Sequence, residues 1–177
     1  MLAIARNVIE GNLKELCEIQ AVFSNDENAK GLITADEIGV STHFINSKGK
    51  KRSSYNRLLL EWLTEENPDY IVLAGYMRII PKAIIQAFAH RIINIHPADT
   101  SEHQGLHGYD WAWENRLTST KVTVHYVDEG LDTGSVIGKK EVDLAEAKSL
   151  EEVETRGLAV EHKFYSECLK QVFKEED

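Results

Sequence analysis

Tyr70-Ile71-Val72-Leu73-Ala74 is the run of sequence on which the fold reading turns. It is short, apolar and β-branched in its middle, and Asn67-Pro68-Asp69 turns the chain just before it, so it reads as a core strand of a parallel sheet. Both flanks look helical: Tyr55 to Glu65 is amphipathic, and Pro81 suits the first turn of a helix running to about His90. Towards the N-terminus the pattern predicts a helix over Leu2 to Leu16, a strand over Ile19 to Phe23 and a helix over Ala29 to Glu37 broken by Gly39. A short strand, Thr42 to Ile45, precedes the basic loop Lys48-Gly49-Lys50-Lys51. Towards the C-terminus come a strand over Arg91 to Ile95, an irregular stretch from Asp99 to Tyr109 and a helix through Trp111 and Trp113. Strands over Lys121 to Val127 and Val136 to Val142 flank a polar loop, and a long helix over Ser149 to Phe173 closes the chain. Alternation of this kind predicts an α/β domain with an open, mostly parallel sheet.

At 177 residues the chain has the length of one domain. Twenty basic against twenty-nine acidic residues give a net charge of -9, which argues against a nucleic-acid or anionic-membrane partner and leaves a small ligand in a local pocket. Cys17 and Cys168 lie far apart without CxxC spacing, so they are expected to be buried free thiols, with neither a disulfide framework nor a zinc site. No apolar stretch approaches the ~20 residues of a membrane span and no signal-peptide pattern is visible, so the expected location is the cytoplasm.

In an open α/β sheet, ligands bind outside the carboxyl ends of the strands. Asn94-Ile95-His96-Pro97 ends one apolar run, and Val127-Asp128-Glu129-Gly130-Leu131-Asp132-Thr133-Gly134 follows another, which puts an amide, an imidazole and carboxylates at strand ends. Asn94 and His96, two residues apart on an extended segment, point to the same side. Singly, each also reads as an ordinary strand terminator or turn former.

Together with Leu73-Ala74-Gly75-Tyr76-Met77-Arg78-Ile79-Ile80, Gly105-Leu106-His107, Val124-His125-Tyr126-Val127, Ala21-Val22-Phe23-Ser24-Asn25 and Glu161-His162, these blocks resemble the folate-dependent formyltransferases, in order and over nearly the whole chain. Within that family the closest likeness is to the branch that formylates glycinamide ribonucleotide in purine synthesis. The resemblance implies a Rossmann-like sheet with helices on both faces, in one formyltransferase-like domain over residues 1–177. It also implies transfer of a formyl group from 10-formyltetrahydrofolate, as co-substrate and with no metal, to a primary amine. Asn94, His96 and Asp132 match its catalytic set. An amide and an imidazolium suit an oxyanion, while a carboxylate accepts the amine's proton and favours the charged imidazole. The folate would lie against Tyr76, Met77, Arg78, Ile79 and Ile80 and the loop Asp128, Glu129, Gly130 and Leu131. Pro97, His107, Glu161 and Arg52 would border or bind the nucleotide, and His125 would help to shape the site. The implied assembly is a monomer or homodimer.

The sequence departs from this pattern in three places. The family's first strand and glycine-rich phosphate loop have no counterpart before Met1, which leads us to expect an N-terminally truncated version of the fold lacking a central strand and its main phosphate grip. After His96-Pro97 the family's Ser-Leu-Leu-Pro type loop is replaced by Ala98-Asp99-Thr100-Ser101-Glu102-His103-Gln104, in which Glu102 and His103 are expected to be solvated. Leu158 stands where a polar residue is common. Rival readings are a formyltetrahydrofolate hydrolase, a formyltransferase for another amine, and a noncatalytic folate- or nucleotide-binding protein.

Overall fold

A computed structural model describes residues 1–174. Its elements follow the expected alternation: α1 (Leu2–Ile9), β1 (Val22–Ser24), α2 (Lys30–Glu37), β2 (Thr42–Phe44), α3 (Arg52–Glu66), β3 (Ile71–Val72), α4 (Lys82–Ala87), β4 (Ile92–His96), α5 (Gly108–Glu114), β5 (Ser119–Tyr126), β6 (Val136–Asp143) and α6 (Leu150–Lys174). The α/β class is borne out. β1 pairs with β2 and β3 with β4 in parallel, while β5 runs antiparallel both to β4, which it follows across α5, and to β6, to which a loop alone joins it.

Two expected elements are shorter than their apolar patterns. The first helix stops at Ile9 rather than Leu16, since Gly11 costs helical stability and the chain turns there, but Leu13 is still fully buried. The run Tyr70–Ala74 yields only the two-residue strand Ile71–Val72, whose residues are partly buried. It is an edge strand in the order β3-β4-β5-β6, and the β1-β2 ladder forms a separate sheet. With hydrogen bonds on one side only, from Ile71 N to Arg91 O (2.8 Å) and Leu73 N to Ile93 O (2.8 Å), the ladder is not extended further. β1 and β3 both line a cavity of ≈ 1010 Å³, together with Leu32, Leu63 and Tyr76.

β4 separates two apolar cores. Ile93 packs with Val122, Val124, Phe164 and Leu169, whereas its neighbour Ile92 packs with Tyr55, Leu59, Ile84 and Phe88. Both isoleucines are completely buried, as the two-residue period of a strand covered on both faces requires. This packing fixes the height and rotation of β4, and with it the side chains at its carboxyl end. Cys168 is buried and Cys17 partly so, both as free thiols.

Candidate active site

The β4–β5 register brings the site together. Asn94 lies opposite His125 and His96 opposite Thr123, and alternation along each strand puts these four side chains on one face. Asp132, from the loop after β5, closes the group in a left-handed conformation (φ 54°). Its Oδ2 stands 3.4 Å from His96 Nδ1 and its Oδ1 3.5 Å from His125 Nε2. Asn94 Nδ2 is 3.4 Å from the same His125 Nε2. Asn94, His96 and Asp132 thus meet as the sequence suggested, with His125 as the bridge between amide and carboxylate. The antiparallel register was the signal that would have assigned His125 this central place.

Hydrogen bonding fixes the ring orientations. His125 Nδ1 donates to Tyr126 O at 2.8 Å, leaving Nε2 towards Asn94 and Asp132. His96 Nε2 lies 3.0 Å from the carbonyl oxygen of His103, an obligate acceptor, so that nitrogen carries a proton. Asp132 Oδ2 also accepts the Gly105 N–H at 2.8 Å. Burial would raise the Asp132 carboxyl, but the hydrogen bond with His125, the Gly105 N–H and the charge of His96 outweigh it and hold it below the usual range. For His96, which is 3% exposed, burial outweighs the attraction of Asp132 and the His103 carbonyl, so its proton affinity falls below that of a free imidazole. Asp132 favours the charged imidazole, as its charge requires, and burial outweighs that attraction while the site is empty of developing charge. A proton on both nitrogens would satisfy both acceptors, so the surroundings are shaped for an imidazolium that forms when negative charge arrives.

The segment after Pro97 is held more firmly than its polar sequence suggested. His103 is half-buried, not solvated, and stacks on Trp111 with centroids 5.0 Å apart, while its Nε2 lies 3.0 Å from Leu106 O. Glu102 is exposed as expected. Asp99, which no motif singles out, is 3% exposed and ion-paired with Lys121 and Lys139.

The remaining candidates fall into two groups. Met77 (75% exposed), Ile79 (68%) and, in the loop after β5, Leu131 (55%) are large apolar side chains left open to solvent, whereas Ile80 packs into the core with Ile92 of β4. Arg78 lies over the ring of Tyr55 at 4.6 Å, and Tyr55 and Tyr76 share a hydroxyl hydrogen bond of 2.8 Å. Asp128 accepts from Gly130 N and the Thr133 hydroxyl, and Glu129 pairs with Lys82 at 2.8 Å, which anchors the loop at both ends of its acidic pair. In the second group, Glu161 of α6 accepts a 2.5 Å hydrogen bond from Tyr109. Its carboxyl is raised by burial, against that hydrogen bond and the charges of His162 and the Met1 amino group. Arg52 is exposed at the start of α3. The His107 ring is exposed and 3.4 Å from Asp110, turned to its own helix rather than joined to the Asn94 cluster by any described contact.

Among the described residues, no cluster of three or more His, Cys, Asp or Glu side chains has the geometry of a metal site. No helix there is long and apolar enough to cross a membrane.

The family model described as formyl transferase matches residues 2–169. The chain is 36% identical over 148 residues to phosphoribosylglycinamide formyltransferase of Escherichia coli (strain K12), covering 83% of this chain and 70% of that protein. It is 36% identical over 123 residues to the enzyme of the same name from Bacillus subtilis (strain 168), covering 70% of this chain and 63% of the relative. Among solved structures, phosphoribosylglycinamide formyltransferase from Bacillus halodurans superposes with a TM-score of 0.92 at 31% identity, over 99% of this chain and 90% of the other.

Proposed function

The chain belongs to the formyl transferase family, and from that premise we propose that it transfers the formyl group of 10-formyltetrahydrofolate to the primary amine of glycinamide ribonucleotide, a step of purine synthesis in the cytoplasm. The observation that carries this reading is the convergence of Asn94, His96, His125 and Asp132 on one sheet face.

The amine nitrogen attacks the formyl carbon, and the carbonyl electron pair moves to oxygen. Asn94 offers an amide N–H to that oxygen, and His96 turns its Nε2–H from the His103 carbonyl to the same atom. A developing negative charge raises the imidazole's proton affinity, so His96 takes up positive charge when it is most useful. Asp132, ionised at neutral pH, receives the proton of the attacking ammonium directly or through water. The oxyanion pair then re-forms the carbonyl, the bond between formyl carbon and folate nitrogen breaks, and that nitrogen takes the proton held by Asp132, directly or through water, as tetrahydrofolate leaves.

Met77, Ile79 and Leu131 supply apolar walls for the pterin, the loop over Asp128, Glu129, Gly130 and Leu131 supplies backbone groups, and Tyr76 and Ile80 back the wall from inside. Arg78, held over Tyr55, is the cation for the folate's carboxylates. Arg52, Pro97, His107 and Glu161 are assigned to the nucleotide side.

The test is release of tetrahydrofolate from 10-formyltetrahydrofolate, followed by absorbance with and without glycinamide ribonucleotide. Turnover that depends on the nucleotide and falls by ~10²–10³ in Asn94→Ala supports the assignment. Turnover without the nucleotide would make the protein a hydrolase, and folate binding without turnover would make it a binding protein.

A further inference from the structure

Asp99 is a carboxylate buried outside the reacting group of side chains, and it carries two lysines from two different strands. Lys121 of β5 reaches Oδ2 at 2.9 Å, and Lys139 of β6 makes a close contact with Oδ1. The same Oδ1 accepts the Ser101 hydroxyl (2.6 Å) and the Ser101 N–H (3.0 Å). The Asp99 carbonyl in turn accepts N–H bonds from Glu102 and His103, both at 2.9 Å, and the neighbouring Ala98 carbonyl accepts the Thr123 hydroxyl at 2.7 Å. Asp99 is therefore the centre on which the turn 99–103 is folded and pinned to the β5–β6 hairpin.

That turn delivers two backbone groups to the site: the His103 carbonyl meets His96 Nε2, and the Gly105 N–H meets Asp132 Oδ2. We propose that Asp99, gripped by Lys121 and Lys139, is a positioning residue that sets the orientation and protonation of His96 and Asp132 through the loop 98–106. The ion pairs are an anchor more than a source of net stability, because burying charges offsets much of what their attraction returns. What they provide is direction: two ammonium groups from adjacent strands fix both oxygens of one carboxylate and hence the plane of the turn.

The groups facing His96 are Asp132, His125 and His103. Those facing Asp99 are the two lysines and Ser101, with Glu102 and Glu141 near Lys121. Removing the Asp99 charge loosens the turn that carries both backbone groups: His96 loses the His103 carbonyl, Asp132 loses the Gly105 N–H and the cover over the ring opens, so the His96 midpoint moves away from the parent's.

The proposal presumes the catalytic role given to His96 only in what it says of turnover, and the experiment separates the two. The full chain, labelled with 15N-histidine, is titrated by NMR without substrate, as parent, Asp99→Asn, Lys139→Gln and Lys139→Arg, with circular dichroism as the check on folding. In Asp99→Asn and Lys139→Gln the His96 midpoint shifts and its Nε2 proton exchanges faster, whereas Lys139→Arg titrates as the parent does. In the formyl-transfer assay kcat falls by roughly tenfold to a hundredfold in the first two, with a smaller change in KM. If Asp99→Asn does not fold, Lys139→Gln, which keeps the Lys121 contact, decides the matter. A folded variant of either kind whose His96 titrates like the parent overturns the proposal, whatever its turnover. A shifted titration in the variants of a parent that has no transferase activity would leave the positioning role standing and remove the catalytic reading instead.

Discussion

Gly134→Ala tests how closely the hairpin loop is fitted to the site. A Cβ at Gly134 would stand 1.8 Å from the Tyr126 carbonyl oxygen and 2.8 Å from its carbon, both backbone atoms that no rotamer change can move. Carbon and oxygen in contact want about 3.3 Å, so the carbonyl must retreat by about 1.5 Å. That same oxygen accepts His125 Nδ1, and His125 spans Asn94 and Asp132. Overpacking of this kind costs ~1–3 kcal/mol, which for a domain of this size lowers Tm by about 2–12 °C. A displacement near 1 Å among reacting groups costs ~100-fold, so kcat is expected to fall to about one hundredth, equivalent to ~2.7 kcal/mol of transition-state stabilisation. Thermal melts followed by circular dichroism, and the formyl-transfer assay on protein still folded at the assay temperature, read the two effects separately. Gly31→Ala is the control: in α2 its new Cβ meets only Met1 Cε at 3.9 Å, so stability should rise by about 0.5–1 kcal/mol. Gly134→Ala with the Tm and kcat of the parent would refute the coupling of loop backbone to His125.

Three further outcomes follow from the titrating groups and the open apolar wall. Asp99 and Asp132 both ionise below their ordinary range in the folded state, so the stability they contribute is complete above the unfolded carboxylate pKa of ~3.9 and is lost as pH falls through the folded values; urea unfolding at pH 7 and pH 3 should show this loss, and a much smaller one in Asp99→Asn. Glu161 has the opposite sign, because its raised carboxyl penalises the folded state once pH rises above the unfolded value; Glu161→Gln, which can still accept from Tyr109, should raise Tm at pH 7 and leave it little changed at pH 4. Met77→Ser should weaken folate binding, read by isothermal titration, while leaving Tm within about 2 °C, since the side chain is 75% exposed and contributes little to the core.

The sequence was most informative where local pattern and tertiary demand agree. The α3, α6 and β5 segments fall within a few residues of their periodic patterns, and the Asn94–His96 spacing correctly placed both side chains on one face. It was least informative where the outcome depends on a distant partner. Tyr70–Ala74 has the composition of a central strand, but a strand is only as long as the ladders beside it, and β3 has one. Asp99 reads as a polar loop residue because the lysines that define it lie 22 and 40 positions away, on strands whose register no local signal reports. His103 likewise looked solvated because its stacking partner, Trp111, belongs to the next helix. The lowered proton affinity of His96 arises from burial, which a motif does not carry.

The division of the strands into two sheets bears on how the molecule reports its own unfolding. Trp62 lies flat against His43 of β2 at 4.4 Å and near Phe23 of β1 at 5.1 Å, so its emission follows the small sheet. Trp111 packs beside His103, so its emission follows the loop over the site. No backbone ladder joins β1 to β3, so the small sheet is coupled to β4 through side chains, with Phe23 of β1 and Ile71 of β3 packed on the core around Tyr55 and Ile92. Trp113 adds to the same emission, so comparing Trp62→Phe and Trp111→Phe variants by fluorescence, with circular dichroism beside them, reads whether the small sheet is lost together with the site or apart from it.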